Sequence, residues 1–572
     1  MSNTKESASK FDRVLSNTVG YGTIGITLAM LFFFLVYPVA TVVVKAFFNE
    51  NGFTLEYFSL LFGNSLQTAS IVNSINIGIA TTVLSTLVAL PLAIFNTKFE
   101  YRGKAFLSGA LLVPMIMPPF VGAIGVQRFF ARRGSVNLTL MEWGVIETPI
   151  EWLSDENMFW AVVILEVFHL YPIMYLNLTA ALANVDPSLE EMSSTLGASK
   201  FKQFKDIVWP LSRPGFFAGA IIVFIWALTD LGTPLLVGFH DTMPVKIFNL
   251  VTDTNENPMG FALVFVVILM TVVFFALSKT ALGTNKYQMM AKGHVTSSLK
   301  RPSLPLTGII YTVTGIVVGV ALIPHLSVVI TSISDRWFMT PLPENYTLKY
   351  YGMVFQQELS YIGIKNSMMF ASLSTVIDLV LGILVAYVVS RKLIPFTGFL
   401  DALVMIPLAL PGIVIAFGYV ATYSGTFLDP MNNPVPLLII AYAIRRLPFM
   451  VRSAAAGLQQ MSPALEEASL TFGASRFHTL RKITIPLVTA NLIAGALLCF
   501  SYAMLDVSDS LILAMKDRFY PMTKAIYVLF LEQGSGEFVA SALGIIGMAI
   551  LTACIMGASL ILGKKMGELF RS

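Results

Sequence analysis

The chain has 572 residues, 56% of them hydrophobic and only 12% charged, with a formal net charge of +4. A soluble domain carries about 25% charged residues, so half the usual charge is missing and long apolar runs take its place. That excludes an ordinary soluble enzyme, and the small positive charge, spread over loops, offers no nucleic-acid surface.

Residues 1–18 form a polar tail before the first apolar run. The tail is too long and too polar for the leading region of a signal peptide, so the first run is expected to be a retained anchor. Counting runs near the ~20 residues that cross a bilayer gives twelve. They fall at about 20–46, 72–95, 105–127, 159–184, 214–237 and 259–282, then 306–333, 366–390, 398–424, 435–457, 489–513 and 539–563. Only helices satisfy the backbone inside such runs, and no alternating pattern suggests a barrel. The expected fold is an all-α polytopic membrane protein of about twelve transmembrane helices. Its parts are a tail (1–18), a first half (19–284), a basic linker (285–304) and a second half (305–572). Proline clusters Pro114–Pro119 and Pro407–Pro411 are expected to kink the third spans.

One stretch occurs twice. Asp186-Pro-Ser-Leu-Glu-Glu-Met-Ser-Ser-Thr-Leu-Gly-Ala-Ser-Lys-Phe returns as Ser462-Pro-Ala-Leu-Glu-Glu-Ala-Ser-Leu-Thr-Phe-Gly-Ala-Ser-Arg-Phe. The shift from Pro187 to Pro463 is 276 residues, and Ile207 and Pro210 fall on Ile483 and Pro486 without a gap. Earlier landmarks repeat at 293: Asn73-Ser74 on Asn366-Ser367, Pro114 on Pro407 and Gly125 on Gly418. The difference of 17 residues falls in the loop around Arg133 to Asn157, where insertions are cheap. Lys200, Lys202, Lys205 and Arg213 in one island, with Arg476, Arg481 and Lys482 in the other, put both islands on the cytoplasmic side. Both termini belong there too, and six spans per half make the repeat parallel.

Each island reads as a helix-turn-helix. Asp186-Pro187 and Ser462-Pro463 suit a helix start. Gly197 and Gly473 suit its left-handed end, and Ser199 and Ser475 can cap a second short helix that Pro210 and Pro486 close. Leu189, Leu196 and Phe201, with Leu465, Phe472 and Phe477, are left as an apolar face.

The pattern Glu-x-x-x-x-x-Gly, nine residues, Ile-x-x-Pro resembles the EAA loop of permeases of binding-protein-dependent ABC importers. Met192 stands for one usual alanine, and Trp209 and Ile485 for the leucine before proline. Each half looks like one permease subunit, so the fold implied is two parallel six-helix repeats. The likeness is to fused permeases of the ferric-iron, thiamine and 2-aminoethylphosphonate group. It implies that each island is a coupling helix for a separate ATPase. The ATPase-coupling residues would be Glu190, Glu191, Gly197, Ala198, Ile207 and Pro210, with Glu466, Glu467, Gly473, Ala474, Ile483 and Pro486. The sequence has no Gly-x-x-x-x-Gly-Lys-Ser/Thr loop. ATP and Mg would therefore be bound by two copies of an ABC ATPase partner, with no cofactor and no covalent chemistry on this chain. An extracytoplasmic solute-binding protein and membrane lipid complete the expected partners, in the bacterial cytoplasmic (inner) membrane. Ferric iron is the leading cargo; 2-aminoethylphosphonate, thiamine or a sugar phosphate are alternatives, and an ion-driven secondary transporter is the rival class.

Charges inside the spans mark a path or a partner. Asp230 and Asp506 superimpose at the 276 shift and are the candidate translocation-pathway residues. Glu166, His169, Asp378, Arg445 and Arg446 have no counterpart of the same type, and interhelix pairing suits them better than a metal site. Cys499 and Cys554 read as small apolar-run residues, and the five histidines show no ligand spacing.

Overall fold

The computed structural model describes residues 21–115, 118–251, 258–281, 299–393, 395 and 397–562. The N-terminal tail, most of the linker with His294, and the end of the chain lie outside them. The long helices, in chain order, are α1 (Tyr21–Phe47), α2 (Ser65–Lys98), α3 (Pro119–Phe130), α4 (Met158–Ala183), α5 (Pro187–Thr195), α6 (Lys200–Thr229) and α7 (Met259–Ala281). The second half repeats them as α8 (Leu304–Ser332), α9 (Glu358–Ser390), α10 (Gly412–Tyr423), α11 (Val435–Gln460), α12 (Ala464–Thr471), α13 (Arg476–Met504) and α14 (Gly536–Leu562). A two-stranded antiparallel hairpin follows the first span of each half, Phe48–Asn49 with Gly52–Phe53 and Ser334–Arg336 with Asn345–Tyr346.

Among the described residues nine helices are long and apolar enough to cross a bilayer, and two bent pairs raise the number to 11. The remaining expected crossing is α11, 26 residues long but carrying Arg445, Arg446 and Arg452. The third spans are not straight. Lys104–Met115 meets Phe120–Glu142 at 90°, and Thr397–Ala409 meets Gly412–Tyr423 at 95°. Pro118 and Pro411 stand at the turns with extended backbone, because a proline has no amide to carry a helix through.

The fifth spans are shorter than their apolar runs. They stop at Thr229 and Met504, and the expected stretches up to 237 and 513 become short separate helices, Gly232–Val237 and Ser508–Leu513. A second correction concerns Pro210 and Pro486. They do not close a short helix: α6 and α13 run from the islands straight into the membrane. A π-turn precedes each proline, Phe204–Val208 and Leu480–Thr484. There Trp209 and Ile485 donate five residues back, to Phe204 and Leu480. The wider turn absorbs the register slip that a missing proline amide would otherwise impose.

The same device occurs in α1, where the π-turn Phe32–Val36 precedes Pro38. The Phe33 carbonyl loses its usual donor, since the Tyr37 amide turns to Phe32. Phe34 has no donor four residues on, because that residue is Pro38. Tyr423 and Tyr419 of α10 donate their hydroxyls to these two carbonyls at 2.5 and 2.7 Å. So the first span of one half packs on the third span of the other. The reciprocal contact is Ser327 of α8 donating to the Gly125 carbonyl of α3 at 2.8 Å. Gly125 and Gly418 are the close-approach points. A Cβ at Gly125 would lie 2.8 Å from the Pro324 carbonyl oxygen, and one at Gly418 3.1 Å from Pro38. The two halves are interlocked, each lending the other its first helix.

Candidate functional site

The first island begins as expected: the Asp186 carboxylate accepts from the Ser188 amide at 2.9 Å, capping α5. In the second island α12 starts one residue later, and Ser462 makes no side-chain cap. Both helices end in a left-handed glycine, Gly197 at φ 81° and Gly473 at φ 87°. The amides of Gly197 and Ala198 bond back to Ser194 and Ser193 at 2.9 and 3.0 Å; those of Gly473 and Ala474 bond to Leu470 and Ser469 at 3.0 and 3.1 Å. These paired bonds are the Schellman closure, which gives Ala198 and Ala474 their place. Ser199 and Ser475 cap the next helix, accepting from the Lys202 and His478 amides.

Two residues overlooked in the sequence lock the helices together. Buried Gln203 donates to Ser194 Oγ and the Ala198 carbonyl, both at 2.8 Å. Its counterpart Thr479 meets Ser469 at 2.9 Å. The expected apolar faces stand in solvent, Leu196 at 86% and Phe472 at 92% exposure, with Leu189, Phe201, Leu465 and Phe477 also exposed. Glu191 and Glu467 are exposed beside them, while Ile207, Pro210 and Ile483 are half-buried at the membrane end.

Glu190 and Glu466 turn the other way. Lys98, the last residue of α2, contacts Glu190 at 2.7 Å, and Arg391, just after α9, donates to Glu466 at 2.7 Å. Thr484 adds a hydroxyl to Glu466 at 2.7 Å. The sequence carries a signal for this: Lys98 and Arg391 align at the 293 shift and the glutamates at 276. Only the different shifts hide it.

Asp230 and Asp506 are brought to one cavity of about 260 Å³ between the halves, with Glu166, His169, Arg445 and Arg446 also in its wall. Each aspartate ends its span and caps the short helix that follows. Asp230 accepts from the Thr233 amide at 2.8 Å and Asp506 from the Asp509 amide at 3.0 Å. Beyond that local role the halves differ. Asp506 is held by Arg445 and Arg446, each at 2.6 Å, and Arg445 also reaches Asp509 at 2.7 Å. Asp509 is a further residue that the sequence reading missed. On the opposite wall Glu166 accepts from Thr233 Oγ1 at 3.0 Å, and neither Glu166 nor Asp230 forms an ion pair among the described residues. His169 Nδ1 lies 3.4 Å from the Pro114 carbonyl. Among the described residues no three metal-ligating side chains gather.

Two interlocked helical halves around a central cavity, each with an exposed helix-turn-helix at one end, define a membrane permease. The chain belongs to the family of binding-protein-dependent transport system inner membrane components, whose pattern matches residues 85–280 and again 378–568. It is thus an ABC importer permease with both repeats in one chain. It is 28% identical over 505 residues to a putative ferric transport system permease protein, FbpB 1, of Haemophilus influenzae, covering 85% of this chain and 77% of the relative. It is 27% identical over 547 residues to the ferric transport system permease protein FbpB of Actinobacillus pleuropneumoniae, covering 93% and 77%. A solved bacterial ABC transporter involved in alginate import aligns over 46% of this chain and 96% of its own, at 17% identity and TM-score 0.40.

Proposed function

We propose that this chain moves ferric iron into the cytoplasm, driven by ATP hydrolysis on two copies of a separate ATPase and fed by an extracytoplasmic solute-binding protein. The observation that carries the ATPase reading is the pair of islands. Each sets Leu196 or Phe472 into solvent on a turn locked by Gln203 or Thr479, as a surface awaiting a partner requires. In this reading Glu191, Gly197, Glu467 and Gly473 sit at the centre of the docked surface. ATP and Mg belong to the partner. Closure of the two ATPases draws the islands together and rocks the halves about the central cavity.

Two features support iron over the anionic alternatives. Two relatives that align over 85% and 93% of this chain bear ferric transport names. The cavity wall also carries Asp230, hydrogen-bonded to the Glu166 carboxyl and with no arginine against it, whereas Arg445 and Arg446 are spent on Asp506 and Asp509. A wall with surplus carboxylate favours a cation and repels a phosphonate or sugar phosphate. An ion-driven carrier gives no reason for two matching exposed islands.

The test is purification of a tagged chain from native membranes. Two ATPase copies per chain, lost in Leu196→Glu with Phe472→Glu while the chain stays folded, support the reading. A folded wild-type chain that never brings an ATPase overturns it. Radioactive iron uptake by the reconstituted complex then decides the cargo.

A further inference from the structure

The geometry points to the second span of each half as a rod that carries the island's movement to the external gate segment, with Lys98–Glu190 and Arg391–Glu466 as its cytoplasmic couplings. This rests on the proposed function, since the ATPase supplies the movement. Four attachment points, two on each rod, define them. At the island end are the two ion pairs, each at 2.7 Å. At the other end lies the Asn-Ser pair that repeats in both halves. Asn73 donates to the Asp241 carbonyl at 3.0 Å, and Ser74 accepts from the Met243 amide at 2.8 Å. Asn366 donates to the Arg518 and Tyr520 carbonyls at 3.0 and 3.1 Å, and Ser367 accepts from the Met522 amide at 2.7 Å.

These partners belong to the segments that follow the helix breaks at Asp230 and Asp506, beyond the central cavity. Ser74 to Lys98 and Ser367 to Arg391 both span 24 residues (98 − 74 and 391 − 367). At ~1.5 Å per residue that is about 36 Å of helix between the two attachments. The helix is continuous in both halves.

A mere buttress would need neither end to recur. Here both ends recur, with the residue types changed only from lysine to arginine. The island is thereby tied to three helices: covalently to α4 and α6, or α11 and α13, and by charge to α2 or α9. Pulling the island must draw the rod along, and the rod grips the gate segment through side-chain hydrogen bonds to that segment's backbone. Glu190 and Glu466 are thus positioning residues, distinct from Glu191 and Glu467, which face solvent.

The test uses the whole complex of chain, ATPase and binding protein. The two native cysteines are replaced, and spin labels are placed at His240→Cys and Lys516→Cys, exposed residues on the two gate segments. The distance between labels is read before and after trapping with ATP and vanadate. The expected result is a distance change in the wild type that is lost in Glu190→Gln with Glu466→Gln, although the ATPase still co-purifies and still hydrolyses ATP. Ser74→Ala with Ser367→Ala should give the same loss from the other end. Lys98→Arg with Arg391→Lys, which keeps both charges, should retain the change. Movement in the Gln and Ala variants equal to the wild type overturns the rod. So does loss of the ATPase from the Gln variant, which would make the pairs part of docking alone. A wild-type chain without ATPase is a failure of the proposed function, seen before any variant is made, and it removes the rod's drive as well.

Discussion

The Tyr419 hydroxyl donates to the Phe34 carbonyl at 2.7 Å, across a sequence separation of 385 residues. With Tyr423 on Phe33, it supplies the two carbonyls that the π-turn and Pro38 leave without helical donors. A buried carbonyl left bare costs about 1–3 kcal/mol. Tyr419→Phe with Tyr423→Phe should therefore lower the thermal unfolding midpoint of the purified chain, while Phe34→Leu, which keeps the carbonyl, should do less. An unchanged midpoint in the double variant would mean that the interlock carries no stability.

The island glycines make a second prediction. No atom lies within 4 Å of a Cβ built on Gly197 or Gly473, so bulk is not the obstacle. The left-handed backbone is, at roughly 1–2 kcal/mol for a residue with a Cβ. Gly197→Ala with Gly473→Ala should leave membrane insertion intact and weaken ATPase co-purification. Gly197→Asn, a residue tolerated at such turns, should retain most of it. Equal retention in the Ala and Asn variants would show that turn geometry does not matter to docking.

The two cavity aspartates should respond differently to the same change. Asp506→Asn removes the ion-pair partner of Arg446 and one of the two partners of Arg445, and breaking a buried pair costs about 3–5 kcal/mol. Folding yield should fall. Asp230→Asn breaks no ion pair and keeps an acceptor for the Thr233 amide, so the chain should fold normally while iron uptake drops. Normal uptake by Asp230→Asn would remove it from the pathway.

That contrast bears on what could be read from the sequence. Apolar runs, the parallel repeat and the islands are legible, because period, length and an exact shift need no partner. The breaks at Asp230 and Asp506 are not, because Leu-Gly-Thr-Pro-Leu-Leu-Val after Asp230 is as apolar as the span before it. A capping carboxylate in mid-run, not a loss of hydropathy, ends the helix. The swap of first spans was equally hidden: Gly125 and Gly418 align in sequence, but nothing in either half names Pro324 or Pro38 as the neighbour. Lys98 and Arg391 escaped because their shift differs from that of the glutamates they meet. Pairing by alignment alone fails wherever an insertion lies between the partners.

The insertion itself is the last case. A cheap, loose loop is what its position leads one to expect, yet the stretch around Arg133 to Asn157 is stapled by one buried side chain. Asn137 donates to the carbonyls of Arg132 and Ile150 at 3.1 and 2.8 Å, and accepts from the Ile150 amide and Trp152 Nε1 at 3.1 and 2.9 Å. Asn137→Ala leaves these groups to find water or stay bare, at about 1–3 kcal/mol for each that stays buried. The cost should fall on this loop and not on the bundle. Limited proteolysis should cut within residues 131–157 faster in the variant, with the unfolding midpoint of the membrane part little moved. Asn137→Asp, which keeps both acceptor bonds and loses the donors, should lie between. If proteolysis is unchanged in Asn137→Ala, the loop is held by its packing of Trp152 against Phe130, and the asparagine is incidental.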